Sequence, residues 1–391
     1  MTWPTKKLGE IALFLRGSGL SKKDLVSSGA HKCILYGQLY TVYGPVIDNV
    51  VSRTDNRGKM LSVAGDVLIP GTTTADEVGI AVASALNEAK VILGGDINII
   101  RTENKLLNSK FLAYLLSGPL KMRMAKYARG TNIIHLSCKD IAKIEIPVAP
   151  IEIQKQIVER LDKIAEVQKL NDELIQKTDE FFQSLLHQEL NPVGKNWEVK
   201  KLGEICEKTD QGHPKNFFKK EFRYIDISSI DAKAKEIQNV NLIPVDGAPS
   251  RARKIVRAGD IVFATTRPYL ENIATVPAEF NNAIVSTGFC VIRANTKIAH
   301  PGFLYFTVIS KSFIKKVLPF QRGANYPAVS DKDVFGVKIP LPPIKTQKQI
   351  AAKLSAVQDY KKQLLEQKSK LKELFDSVLS RSMSGKLSNQ I

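Results

Sequence analysis

Cysteine is scarce in this sequence and never close to itself. Cys33, Cys138, Cys206 and Cys290 lie far apart, with no C-x-x-C pair. That spacing excludes a zinc ribbon and argues for free thiols in a reducing compartment rather than a disulfide framework. No apolar run approaches the 18 residues or so of a membrane span, so no membrane association is expected. The opening stretch, MTWPTKKLGEIALFLRG, has no uninterrupted apolar core followed by a small-residue cleavage site. A cytoplasmic protein is therefore expected.

Catalytic signatures are missing as well. A base methyltransferase would carry an N-P-P-Y or D-P-P-Y tetrapeptide, yet the double proline at 342–343 sits in LPPI. A nucleotide-driven motor needs G-x-x-x-x-G-K-[ST]. The Gly-Lys pairs at 58–59, 194–195 and 385–386 are not followed by Ser or Thr and lack the preceding glycine. The five histidines (31, 135, 187, 213 and 300) have no metal-ligand spacing, so no metal site and no cofactor is expected on this chain.

What is abundant is positive charge. The 57 Lys and Arg against 39 Asp and Glu leave a net +18, a surplus that points to a polyanionic partner. With 43% apolar residues over 391 positions, the chain is long enough for two globular cores.

It is also written twice. IPVAPIEIQKQIVERL at 146–161 returns as IPLPPIKTQKQIAAKL at 339–354, and WPTKKLGEI at 3–11 returns as WEVKKLGEI at 197–205. Gly65-Asp66 matches Gly259-Asp260, Ile100-Arg101 matches Ile292-Arg293, and Arg129-Gly130-x-Asn132 matches Arg322-Gly323-x-Asn325. The offsets drift only between 192 and 194, which is a tandem duplication rather than a solenoid.

Within each copy, short apolar runs bounded by Gly, Asp and Asn read as strands: HKCILYG, GDVLIPG and INIIRTE, then FRYIDIS, GDIVFAT and FCVIRAN. One helix per copy is expected, near 108–127 and 300–317. After the prolines, each copy runs about 35 residues without Gly or Pro, which predicts a helix about 50 Å long. Ile157, Leu161, Ile164 and Val167 form a stripe, repeated by Ile350, Leu354, Val357 and Tyr360. Phe181, Phe182, Leu185 and Leu186 meet Leu374, Phe375, Val378 and Leu379 in the same way. Such stripes need a partner helix, and two in one chain can supply each other.

The predicted fold class is therefore α+β. Two tandem globular domains of mixed α/β character with small twisted sheets, at 1–152 and 196–345, are separated by two long helices at 153–190 and 346–388. The helices are expected to pair as an antiparallel coiled coil, giving a dumbbell with a pseudo-twofold axis, with a head-to-tail parallel stack as the alternative. Across 154–188 there are five Lys/Arg against seven Asp/Glu, and across 347–387 nine against four. Most of the positive charge thus belongs to the globular parts, as suits a duplex touched at two places.

Two diverged α+β domains, each opening W-x-x-K-K-L-G-E-I and each closed by I-P-x-x-P-I-x-x-Q-K-Q-I, resemble the specificity subunit of type I restriction–modification enzymes. The resemblance covers essentially the whole chain, and its most specific element is the doubled Q-K-Q-I helix start. It implies two target recognition domains, each reading half of a split double-stranded DNA sequence, with the helices setting the unread gap. It further implies a non-catalytic subunit that docks two methyltransferase subunits and, through the complex, restriction/translocase subunits. S-adenosylmethionine would then belong to the methyltransferase partner.

Base reading needs polar side chains on loops that reach the major groove. Three loops per copy qualify. The first carries Tyr36, Gln38 and Tyr43, matched by Asp226, Ser228 and Ser229. The second carries Thr72, Thr73 and Thr74, matched by Thr265, Thr266, Arg267 and Tyr269. The third carries Arg129, Asn132 and His135, matched by Arg322, Asn325 and Tyr326. The persisting Arg129 and Arg322 are assigned to phosphate and their differing neighbours to bases. Arg53, Arg57, Arg251, Arg253 and Lys254 are further phosphate candidates, with a solvated surface as the alternative.

Two rival readings remain at this level. One is a self-contained DNA-modifying enzyme, for which Asp96 with Glu103 and Lys105 would form a metal-nuclease arrangement; the second copy has Gly288, Asn295 and Lys297 there. The other is a coiled-coil interaction protein whose basic domains are incidental.

Overall fold

The computed structural model describes residues 3–102 and 106–383, so Glu103 and Lys105 lie outside the described residues, as do 384–388 of the expected second helix. The chain divides into two compact units. One comprises 1–173 together with 366–391; the other is the continuous stretch 174–365. Each long helix, Ile151–Leu190 and Ile344–Met383, contributes to both units. At 40 residues each, the helices are about 60 Å long, longer than expected.

In the first unit the central sheet runs in the order Leu13–Arg16, Ile97–Arg101, Asp66–Pro70, Ser84–Leu86, Val46–Ile47. In the second, Cys206–Glu207, Phe289–Ala294, Ile261–Ala264 and Ile273–Thr275 follow the same order. The central strands are apolar without alternation because both faces are covered. Val67 and Ile69 face a core shared with the helices, whereas Leu68 faces a second core with Ile34 and Leu93. Ile261 and Phe263 divide from Val262 and Ala264 in the same manner.

Three repeated phrases acquire physical reasons. The opening phrase is a strand whose partner is the proline phrase: Lys6 lies opposite Ile146, and Lys200 opposite Ile339. The Gly-Asp and Ile-Arg repeats are two halves of one ion pair. Arg101 donates from Nε and a terminal nitrogen to Asp66, both at 2.8 Å. Arg293 does the same to Asp260 at 2.9 and 2.7 Å, and this second pair is buried. Asp66 and Asp260 also accept from the backbone of Val63 and Arg257, pinning the turn before each central strand.

The third phrase, Q-K-Q, holds the start of each long helix. Gln154 has no exposed surface. Its Oε1 accepts from the Asn108 N–H at 2.8 Å, and its Nε2 donates to the carbonyls of Leu106 (2.8 Å) and Ala149 (2.7 Å). Gln347, equally buried, accepts from His300 N–H (2.8 Å) and donates to Ile298 (3.1 Å) and Pro342 (2.8 Å). Asn108 and His300 precede the helices Ser109–Ser117 and Pro301–Ile309, so each glutamine fixes a long helix to a helix of its domain.

Several expectations are corrected. The single helix near 108–127 is two, Ser109–Ser117 and Lys121–Ala125, because Gly118-Pro119 interrupts it. Its counterpart divides into Pro301–Ile309 and Lys311–Val317, with Ser310 in extended backbone capping the second piece. The apolar stripes bury mainly in the domain cores rather than in a helix seam alone. Ile157, Leu161 and Leu379 join the core of Phe111 and Leu112; Leu186, Ile350 and Leu354 join that of Phe303 and Leu304. Toward mid-helix the stripe surfaces, with Val167 41% and Tyr360 47% exposed. The helix segments run antiparallel within each unit. Lys353 meets Glu189 and Lys361 meets Asp179 in the second, while in the first Lys368 meets Asp172 and Tyr114 touches both Phe375 and Asp162.

The buried glutamines generate a test. Gln154→Leu takes a hydrogen-bond partner from one N–H and two carbonyls, and should lower the stability of the first unit by about 2–5 kcal/mol. Gln347→Leu should do the same to the second unit. Gln349→Leu, at the exposed second glutamine of the phrase, should stay within about 0.5 kcal/mol of the parent. Chemical denaturation followed by a probe in each unit checks all three.

Candidate nucleic-acid interface

In the first unit the three candidate loops converge. Strand Thr72–Thr73 pairs with Ile134–His135, placing Thr72 opposite His135 and Thr73 opposite Ile134. Arg129 and His135 exchange backbone hydrogen bonds at 2.9 and 2.7 Å, closing a hairpin whose tip carries Asn132. The Tyr40 hydroxyl donates to the Thr72 carbonyl at 2.8 Å and so brings in the short helix Gln38–Thr41. Burial pushes that phenol up to about 12, so it remains a donor. Nothing in the sequence marked Tyr40, since an aromatic in a helical turn reads as core.

The side chains divide into exposed and spent. Tyr36, Thr74, Arg129, Asn132 and His135 are exposed. Thr72 and Thr73 are each 9% exposed, contrary to their reading as accessible loop hydroxyls, because they form the strand that receives the hairpin. Gln38 is internally engaged: its Oε1 accepts from Leu35 N–H at 2.8 Å and its Nε2 donates to Ser52. Tyr43 is half-buried and its hydroxyl accepts from Val51 N–H at 3.2 Å.

In the second unit two loops meet. Thr266 bridges Ala328, and Arg322 and Ala328 exchange hydrogen bonds at 2.9 Å each. Arg267 donates its N–H to the Pro327 carbonyl at 2.7 Å. Thr265 is buried and donates to Gly288 O at 2.9 Å. Tyr269, Arg322, Asn325 and Tyr326 are exposed. The remaining loop stands apart. Asp226 accepts from the N–H groups of Ser228 and Ser229 and caps its own 3-10 turn, with Ser229 buried. Among the described residues no hydrogen bond ties this turn to the other two loops.

Each hairpin is anchored to its sheet by different chemistry. In the first unit, buried Asn98 donates to Leu136 O at 2.7 Å and accepts from the Cys138 thiol at 3.1 Å. In the second, Lys254 donates to Phe289 O at 2.6 Å and pairs with Asp331. Lys254 is thus buried and committed, which removes it from the phosphate candidates; Arg253 is half-buried and donates to Ala252 O. Arg53, Arg57 and Arg251 are exposed. Arg322 contacts Asp333 at 3.3 Å, and that carboxyl is held below the usual range by hydrogen bonds from Ser330, with Arg322 adding to the effect. The equivalent Asp140 is lowered chiefly by Lys143, which leaves Arg129 the less constrained of the two arginines.

Among the described residues no cluster of three or more His, Cys, Asp or Glu could hold a metal ion. Among them, too, no helix is long and apolar enough to cross a membrane.

The hairpins differ in tolerance. Gly130 has φ +137°, and a Cβ there would lie 2.0 Å from the Ile133 carbonyl oxygen; at Gly323, φ +94°, the nearest atom is 3.1 Å away. Gly130→Ala should therefore cost more than Gly323→Ala in its own unit, by about 1 kcal/mol or more. Thermal denaturation of the two variants gives the comparison.

A family model for the type I restriction modification DNA specificity domain matches twice, over residues 1–178 and 194–373. The type I restriction enzyme MjaVIII specificity subunit of Methanocaldococcus jannaschii is 24% identical over an alignment spanning all of this chain and 93% of that protein. The putative type I restriction enzyme MjaX specificity subunit of the same organism is 25% identical over 87% of this chain and 81% of its own. In fold, the type-I restriction-modification system S subunit from M. genitalium aligns with a TM-score of 0.60 over 98% of this chain and 96% of that one, at 15% identity. With both halves matched, the chain belongs to the type I restriction–modification specificity subunits, whose role is DNA recognition without catalysis of their own.

Proposed function

We propose that each globular domain reads one half of an asymmetric, bipartite DNA target. The observation that carries this reading is the contrast between frame and loops. Central strands, ion pair and glutamine clamp repeat across the copies, whereas most of the exposed loop side chains differ, the Arg and Asn of the hairpin being shared. Tyr36, Thr74, Asn132 and His135 are the base-reading candidates of the first domain; Arg267, Tyr269, Asn325 and Tyr326 are those of the second. Arg129 and Arg322 contact phosphate. Thr72, Thr73, Thr265, Thr266, Gln38 and Tyr43 shape the surface beneath them, and the 226–229 turn, with Asp226 and Ser228, is a separate contact of the second domain.

In this proposal the helices set the unread gap in a dumbbell with a pseudo-twofold axis. Their length bounds the separation of the two readers at about 18 base pairs. Two methyltransferase subunits dock on the spacer, bring S-adenosylmethionine, and connect the chain to restriction/translocase subunits in the cytoplasm. The net +18 supports a duplex as partner.

Mapping methylated bases across the genome with and without this gene tests the reading. A split motif with two different halves should disappear on deletion, and a palindromic footprint would refute the asymmetric target. Binding of the assembled complex to duplex should weaken with salt at a log–log slope of about −0.9 per phosphate contacted. Arg129→Ala and Arg322→Ala should each make that slope shallower by about 1 without changing the motif.

A further inference from the structure

Arg267 occupies left-handed backbone, with φ 49° and ψ 57°, a region that non-glycine residues rarely adopt. Its surroundings leave it little choice. Pro268 follows and disfavours the right-handed alternative. The Arg267 N–H is held by Pro327 O at 2.7 Å, and its carbonyl accepts from Leu270 N–H at 2.9 Å. Four residues on, Glu271 is left-handed too, φ 54°, with its carbonyl held by Lys235 Nζ at 2.7 Å. Backbone strain maintained on both sides of a short turn belongs to segments whose side chains must point one way.

The side chain crosses to the neighbouring hairpin. Its guanidinium carbon lies 5.1 Å from the centroid of the Tyr326 ring, and one terminal nitrogen reaches the Asn325 carbonyl at 3.5 Å. Tyr326 is itself 72% exposed, so the ring acts as a plate for the guanidinium at the surface. A guanidinium has five N–H donors, and this arrangement leaves most of its fork unused.

Among the described residues the first domain has no equivalent. Thr72 pairs with His135 where Thr266 bridges Ala328, so Arg267 stands at the place of Thr73 and Tyr326 at that of Ile133. A threonine that is 9% exposed beside an isoleucine cannot present a fork.

We propose that Arg267, seated on Tyr326, reads a guanine in the half-site of the second domain, and that this readout has no counterpart in the first. The inference rests on the DNA-reading assignment above. In the major groove guanine offers two acceptors, O6 and N7, spaced for a guanidinium fork, whereas adenine offers one acceptor and a donor that would face the fork's own N–H groups. A stacked, backbone-locked arginine gives up little freedom on meeting the base.

The test uses the assembled methyltransferase complex carrying Arg267→Gly, a replacement at ease in the left-handed backbone and so free of a folding defect from strain. Methylation rates are compared on duplexes with every base at each position of both half-sites. One position of the second half-site should lose its preference for guanine by roughly 10- to 100-fold, while the first half-site is read as before. Arg267→Lys keeps the charge but not the fork and should lose the same preference. Tyr326→Ala should weaken it. An unchanged motif with Arg267→Gly would overturn the proposal. So would a uniform fall in rate with the motif intact, which would make Arg267 a phosphate contact. Failure of the wild-type complex to show any split motif would instead defeat the reading on which the proposal rests.

Discussion

A glutamine with no exposed surface must satisfy both ends of its amide inside the protein, and leaving any of its partners bare is costly. Gln154 and Gln347 meet that requirement in the same way, joining the first turn of a long helix, the proline stretch before it and the cap of a domain helix. Each domain is thereby given a fixed departure point for its helix. The direction of the helix follows from there. Removing the clamp would leave the helix start to its apolar contacts, which are non-directional, and in the first unit to the bonds that Lys110 and Tyr114 make with Asp162.

The two copies show what such a frame allows. Once the sheet is pinned by Asp66–Arg101 or Asp260–Arg293, the hairpin beside it can be anchored by whatever chemistry is at hand. A thiol–amide contact serves in one copy and a lysine–aspartate pair in the other. The anchors differ in charge and in burial, yet both present an Arg-Gly-x-Asn hairpin next to the same pair of strands. Divergence is thus channelled to the hairpin tips and the turn after the central strand, where substitution leaves the cores untouched.

Much of this was legible in the sequence. Repeated phrases located the duplication, and short apolar runs bounded by turn residues located the central strands. Proline followed by a long run free of glycine and proline located both helices. What escaped were contacts that join residues far apart. The glutamine of Q-K-Q read only as part of a motif, because two of its three partners lie more than forty residues away. The threonines at 72, 73 and 265 read as open loop, because the short strand that covers them is made by a hairpin some sixty residues downstream. Lys254 read as a phosphate contact or a solvated charge for the same reason, its partner Asp331 arriving from the start of a helix 77 residues downstream. The apolar stripes were visible, but periodicity does not say whether a helix or a domain core receives them. Here the ends of each stripe go to the cores.

The first unit draws its final segment from the far end of the chain, with Leu379 in its core, Phe375 against Tyr114, and the Trp3 indole donating to Ser382 O at 2.7 Å. The second unit is one uninterrupted stretch. On the ribosome, then, order of synthesis and order of completion are reversed. The domain begun first must wait, with part of its apolar interior uncovered, until the last turns of the second long helix have been made. A nonsense codon within the last turns of the second long helix would consequently injure the amino-terminal domain and spare the one beside it in the message.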